Sequence, residues 1–132
     1  MFDSLERHSP MALAGLRVIS GLMFMQHGAQ KIFSFPAEAM GPFQLMSQMG
    51  IGGVLELVGG ALIVLGLFTR PVAFILSGMM AVAYFQFHAS TGGLYPLVNG
   101  GELAALYCWV FLFIFFAGPG AFSVDGMLAK KR

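Results

Sequence analysis

Apolar positions in this chain gather into four long runs. They do not show the strict alternation of a half-buried strand or the single stripe of a soluble amphipathic helix. The runs cover residues 11–30, 50–68, 71–89 and 102–118. Each is close to the roughly 20 residues that an α-helix needs to cross the hydrocarbon of a bilayer. The pattern predicts an all-α, polytopic membrane protein built as a four-transmembrane-helix bundle. Only Thr69-Arg70-Pro71 joins the second run to the third, a tight helical hairpin with Pro suited to the opening turn. The connections at 31–49 and 90–101 are longer and rich in Gly and Pro. The first run is expected to stay as an uncleaved helix. It is too long for a signal-peptide core, and Arg17 lies inside it.

Lys and Arg placement orients the spans. An even number of spans puts both termini on the side of the Thr69–Pro71 hairpin. That side carries Arg7, Arg70, Lys130, Lys131 and Arg132, whereas the opposite loops carry only Lys31. Both termini are therefore expected in the cytoplasm, with the two long loops facing outward.

Composition changes the picture mainly by exclusion. The chain is 58% hydrophobic and 10% charged, against about a quarter charged in soluble domains. That is too little charge to cover a water-facing surface and too much apolar content for disorder. A net charge of +1 supplies no field for nucleic acid. A single Cys, Cys108, excludes an intramolecular disulfide, a CxxC pair and a cysteine zinc site. It reads as a small apolar filler.

Glycine recurs with helical period in the second run, where Gly52, Gly59 and Gly66 are spaced by seven and Gly53 and Gly60 lie alongside. At about 100° per residue, Gly52, Glu56, Gly59, Ile63 and Gly66 form one stripe. Gly21 and Gly28 share a face of the first run with Arg17, Phe24 and Lys31. Small residues let helices approach where lipid provides no hydrophobic drive for association. Packing is their first role, with contact to a cofactor as the alternative.

Ionisable groups inside spans cost several kcal/mol and therefore face protein, a cavity or a partner. Glu56 lies on the glycine stripe, about two turns below the outer face. It needs an interhelical bond or ion pair, or it handles protons or a ligand. His27 and Lys31 end the first span, His88 ends the third, and Glu102 opens the fourth. The outer half thus collects His27, Lys31, Glu56 and Glu102, with Gln26 and His88 close by. The cytoplasmic half offers chiefly Arg17, which can hold the bundle through backbone carbonyls or Asp125, or bind an anion. Gln86 and His88 stand about 200° apart on the third helix. Tyr84 and His88 are taken as its inward pair. No Glu-x-x-His or His-x-x-x-His pair occurs in any helix, so no metal ligand is assigned. His27, Glu56 and His88 are the candidates for proton chemistry. Lys31, Tyr84, Glu102 and Trp109 are the candidates for holding a cofactor. The aromatic residues of the fourth run suit packing first, although aromatic walls also suit a quinone ring.

Taken in order, several segments resemble the DoxX family of small prokaryotic membrane proteins. His27-Gly28-Ala29-Gln30-Lys31 is similar to the family's HGxxK. Glu56 through Leu62 and Leu65 through Arg70 resemble its E-x-x-G-G and L-G-L-x-T-R segments. Gly101 through Tyr107 and Gly118 through Asp125 complete the likeness, which covers nearly the whole chain. It implies one domain over residues 1–132, a bundle of four helices in the bacterial inner membrane. Some members are linked to thiosulfate:quinone oxidoreduction and others to oxidative-stress systems. The resemblance therefore implies a redox-associated subunit that binds or serves a quinone through the outer His/Lys/Glu cluster. The alternative is a non-enzymatic scaffold or accessory subunit of a larger complex. Expected partners are the lipid bilayer and either other membrane subunits or further copies of the chain, with no nucleic acid. Without a dithiol, haem motif or flavin site, any electron source must be a partner.

The charge argument has a direct check. A topology reporter fused after Arg132 is expected to be active only in its cytoplasmic format, and periplasmic activity would overturn the orientation.

Overall fold

The computed structural model describes residues 2–131, and every regular element in it is helical. A short α1 (Asp3–Glu6) leads into α2 (Ser9–Phe33), followed by α3 (Gln48–Leu65) and α4 (Thr69–Ala83). Helix α4 runs on without a break as a π-helix (Tyr84–Ala89) and α5 (Ser90–Gly92). Then come α6 (Pro96–Asn99), α7 (Glu102–Ala117) and α8 (Val124–Lys130). Helices α2 and α3 form one tight pair, and α4 and α7 form another. Buried residues from α2, α3, α4 and α7 meet in a single core that includes Phe24, Ile63, Leu76, Tyr107, Phe111 and Ile114.

The helix bounds correct the sequence reading at several ends. Helix α3 stops at Leu65 rather than at 68 because Gly66 adopts a left-handed conformation with φ of 67°. Helix α4 begins at Thr69, two residues before Pro71, which sits within its first turn. By length and composition, two helices are able to cross a membrane, Gln48–Leu65 and Thr69–Gly92. The other two expected spans fall short of that measure. Helix α7 is apolar but has 16 residues, while the apolar run of α2 is diluted by Arg17, Gln26 and His27. The outward faces are strongly apolar all the same. Ile19, Val58, Phe74, Ile75, Val82 and Phe113 are each more than half exposed, in the positions where lipid would touch the molecule.

The glycines divide into two seams. Those of α2 and α3 bring backbones together: a Cβ on Gly28 would lie 2.5 Å from Leu57 N and 2.6 Å from Gly53 O. One on Gly21 would lie 2.8 Å from Gly60 O, and one on Gly60 the same distance from Gly21 O. Gly59 turns instead toward α4, where its Cβ would meet Leu76 Cδ2 at 2.9 Å. Gly52 has no atom within 4 Å of its Cβ position and leaves the expected stripe, while Gly66 ends the helix rather than extending it. Gly53 and Gly60, one residue further round, take the packing role against α2.

The end that carries both termini is knotted by Arg17, which is fully buried. Its guanidinium donates to Pro119 O, to Ala121 O at 3.2 Å and to Phe122 O at 2.9 Å. Of the roles open to Arg17, the one realised is the binding of backbone carbonyls. Asp125 in α8 caps a different helix, accepting from Phe68 N and Thr69 N at 2.9 Å each. A carboxylate suits the positive N-terminus of α4. Burial works against its charge, but the two N–H groups and nearby Arg17 outweigh that and hold its carboxyl pKa below the ordinary value. Arg132, counted in the charge argument, lies outside the described residues.

Gly28→Leu and Gly59→Leu separate the two seams. The first must push apart backbones and is expected to abolish stable folding. The second meets the end of a flexible side chain and should cost about 1–3 kcal/mol. Thermal melting of both variants in detergent checks this, and a Gly28→Leu protein as stable as Gly59→Leu would refute the backbone contact.

Candidate functional site

At the opposite end from the termini, hereafter the loop end, α2 and α3 hold an ion pair between them. Lys31 sits in the last turn of α2, where a cation also suits the helix dipole. Glu56 sits in the middle of α3, and its side chain is 6% exposed. Lys31 Nζ donates to Glu56 Oε1. Gly53, one turn before Glu56, makes the approach possible: a Cβ there would lie 3.1 Å from Lys31 Cβ and 3.5 Å from its Cδ. The lysine stem therefore lies across the bare backbone of Gly53 to reach the carboxylate.

Behind the pair stands Tyr107 of α7. It is 5% exposed and stacks on Phe111, with centroids 5.7 Å apart and planes at 10°. Phe24 meets it edge-on at 5.2 Å, and His27 does so at 6.3 Å with planes at 89°. Glu56 is near enough for its charge to act on Tyr107. Two buried oxygens here lack hydrogen-bond partners among the described residues, Glu56 Oε2 and Tyr107 Oη. Orphaned buried polar atoms are uncommon, and each invites an explanation such as an ion, a water or a ligand.

In front of the pair opens a cavity of about 400 Å³. His27, Gln30 and Lys31 of α2 form its polar side, and Met40, Pro42 and Phe43 of the α2–α3 loop form much of its apolar wall. That loop is tied down at two points. Gln30 Nε2 donates to Glu38 O at 2.9 Å, and Ser47 caps α3 by accepting from Gly50 N at 3.0 Å. Gly50 lies directly beneath Gln44 O, so the loop descends onto the start of α3 where no side chain obstructs it. His27 belongs to both environments, lining the cavity and touching the ring of Tyr107.

The structure thus brings together His27, Lys31 and Glu56. It does not bring the other expected members into the same contacts. Glu102 is exposed at the start of α7 and makes no ion pair among the described residues. Its place in the first turn of a helix satisfies it through the dipole. His88 Nδ1 lies 3.2 Å from Asn99 O and so donates to it. Tyr84 donates to Leu94 O at 2.6 Å and accepts from Asn99 Nδ2 at 3.1 Å. Tyr84 and His88, expected as an inward pair, are half-buried and together hold the 93–101 segment, α6 included. Trp109 is 69% exposed on the outside of α7 and lines neither that cavity nor the Tyr107 stack. Gln26 faces outward, and Gln86 is paired with Gln48 at 2.7 Å. No group of three or more His, Cys, Asp or Glu that could hold a metal occurs among the described residues. Tyr107 was missed as a site residue because six aromatic side chains in 107–116 carry no periodic signal that separates an inward one.

A family model described as DoxX matches residues 12–89, a segment that includes His27, Lys31 and Glu56 but not Tyr107. An uncharacterised protein of Haemophilus influenzae is 43% identical over 98% of this chain and 99% of its own length. The inner membrane protein YqjF of Escherichia coli is 30% identical over 87% of this chain and 90% of that one. The uncharacterised membrane protein Rv3486 of Mycobacterium tuberculosis is 29% identical over 96% and 87%, respectively. No solved structure matches this chain.

The orphaned phenol gives a test of this geometry. Tyr107→Phe removes a hydroxyl without a partner and keeps the ring that packs Phe24 and Phe111. Its melting temperature is expected to equal or exceed that of the wild type, because no hydrogen bond is lost. A loss above about 1 kcal/mol would mean that the hydroxyl is bonded in the folded protein.

Proposed function

The chain is a membrane protein of the DoxX family, and on that premise we propose that it serves a quinone at the loop end. In this reading α2, α3, α4 with its extension, and α7 all cross the inner membrane as one domain. Both termini are cytoplasmic, and the cavity opens near the outer surface. The first and fourth helices owe their place in lipid to their partners: α2 buries Arg17 against carbonyls, and α7 packs its length along α4.

One observation carries the proposal. An open cavity with an apolar wall ends on an ammonium and an imidazole, and behind them a carboxylate and a phenol each keep one oxygen unpaired. A quinone has a flat apolar ring with carbonyl acceptors at its edge. In this reading Lys31 and His27 donate to such a carbonyl, and the ring lies against Met40, Pro42 and Phe43, which line the cavity. Reduction of a quinone consumes protons, and His27, Glu56 and Tyr107 are protonatable groups at the site. Electrons must come from a partner, since the chain carries no redox cofactor motif.

A second reading, an accessory subunit of a larger complex, draws on the segment after α5 that runs into α6. Leu94, Tyr95, Leu97 and Val98 are all at least 70% exposed, an apolar surface at the end of the molecule.

Protein purified in mild detergent from its native membrane is expected to release quinone on solvent extraction, at a level that falls in Lys31→Met. Quinone-free wild-type protein that co-purifies with a stoichiometric membrane partner would favour the accessory reading instead.

A further inference from the structure

Among the side chains that line the cavity, Lys31 is the one Lys or Arg, and no Asp or Glu is among them. The group that balances it stands elsewhere. Glu56 is behind Lys31, does not line the cavity, and is 6% exposed where the lysine side chain is 28% exposed. The ion pair is therefore polarised in depth, with its cationic half at the opening and its anionic half in the packed interior.

We propose that Glu56 sets the charge class of the ligand: by neutralising Lys31 from behind, it makes the cavity accept neutral carbonyl-bearing heads and turn away anions. The proposal rests on the reading that this cavity binds a ligand, and it assigns Glu56 a role as a specificity residue that acts through Lys31.

The donor inventory supports the neutral acceptor. An ammonium has three protons, and Glu56 Oε1 takes one, which leaves donors for a ligand oxygen. The ring nitrogens of His27 make no hydrogen bond among the described residues, so His27 adds a further polar contact at the same end. Gln30 gives one of its two amide N–H groups to Glu38 O and keeps one donor and its carbonyl acceptor. A carbonyl oxygen satisfies the ammonium without bringing charge. An anion would also meet the ammonium, but it would add a second negative charge beside Glu56, whose Oε2 has no partner to spread its charge. In surroundings of low dielectric that repulsion is felt strongly. Without Glu56 the same cavity would hold an unbalanced cation, and an anion would become its natural ligand.

Matched probes read this directly. Menadione and lawsone share a naphthoquinone ring, and at neutral pH the first is neutral and the second an enolate anion. Naphthamide and naphthoate form a second neutral and anionic pair without a quinone. Binding to the full chain in lipid nanodiscs would be measured for all four. Wild type is expected to bind the neutral member of each pair at least about tenfold more tightly, a step of roughly 1.4 kcal/mol. Glu56→Gln should reverse the order, and the double variant Lys31→Met with Glu56→Gln should restore it. Wild type that prefers lawsone to menadione would overturn the proposal even if no variant folds. A preference left unchanged in Glu56→Gln would do the same, while menadione binding would keep the quinone reading alive. A preference for naphthamide with no binding of menadione would support the charge rule and end the quinone reading. Failure of all four probes to bind would overturn both.

Discussion

The contact on which the rest depends is the backbone-to-backbone seam between α2 and α3. Between apolar side chains and apolar lipid there is little hydrophobic gain from association, so helices hold one another through close packing. Gly21 against Gly60, and Gly28 against Gly53 and Leu57, bring the two axes nearer than side chains would permit. The polar chemistry follows from that distance. Lys31 reaches Glu56 because its stem crosses Gly53 with no Cβ in the way, and a wider separation would leave both groups stranded in apolar surroundings. The glycine seam and the ion pair are thus one feature. Packing creates the geometry, and the pair adds an attraction that works over the last few ångströms.

The two ends of the molecule neutralise charge by different means. At the loop end a cation meets a carboxylate, which leaves a dipole across a cavity wall. At the terminal end Arg17 meets three backbone carbonyls, and Asp125 spends its oxygens on the start of α4. Carbonyls carry no net charge, so Arg17 keeps its own and is held by partial charges and by nearby Asp125. That arrangement is tight, with Gly66 left-handed and close against Ser123 and Arg17. The loop end stays open.

Much of this was legible in the residues. The four apolar runs located the four long helices to within a few residues, because run length and Gly/Pro punctuation are local properties. The period of seven in the second run located a packing face, and Glu56 within it announced an ion pair or its equivalent. What remained hidden was nonlocal. Gly52 and Gly53 differ by 100° on a helical wheel, and the choice between them depends on how α2 docks. The π-helix at Tyr84–Ala89 adds a residue to a turn and shifts the register of everything after it, with no sequence signature for that step. Tyr107 was concealed among aromatic neighbours, and Glu102 drew attention through its charge although a helix N-terminus already satisfies it.

Arg17 has a consequence for how the molecule is made. Its three carbonyl partners lie 102, 104 and 105 residues later in the chain. As the ribosome delivers the polypeptide, α2 is made long before Pro119, Ala121 and Phe122 exist. During that interval the guanidinium lacks its final acceptors and must stay hydrated, because a charge buried without partners is costly. Pro119, Ala121 and Phe122 are therefore the residues that let Arg17 of α2 give up its water. Biogenesis ends as a clasp does, when its tail is drawn through the first link.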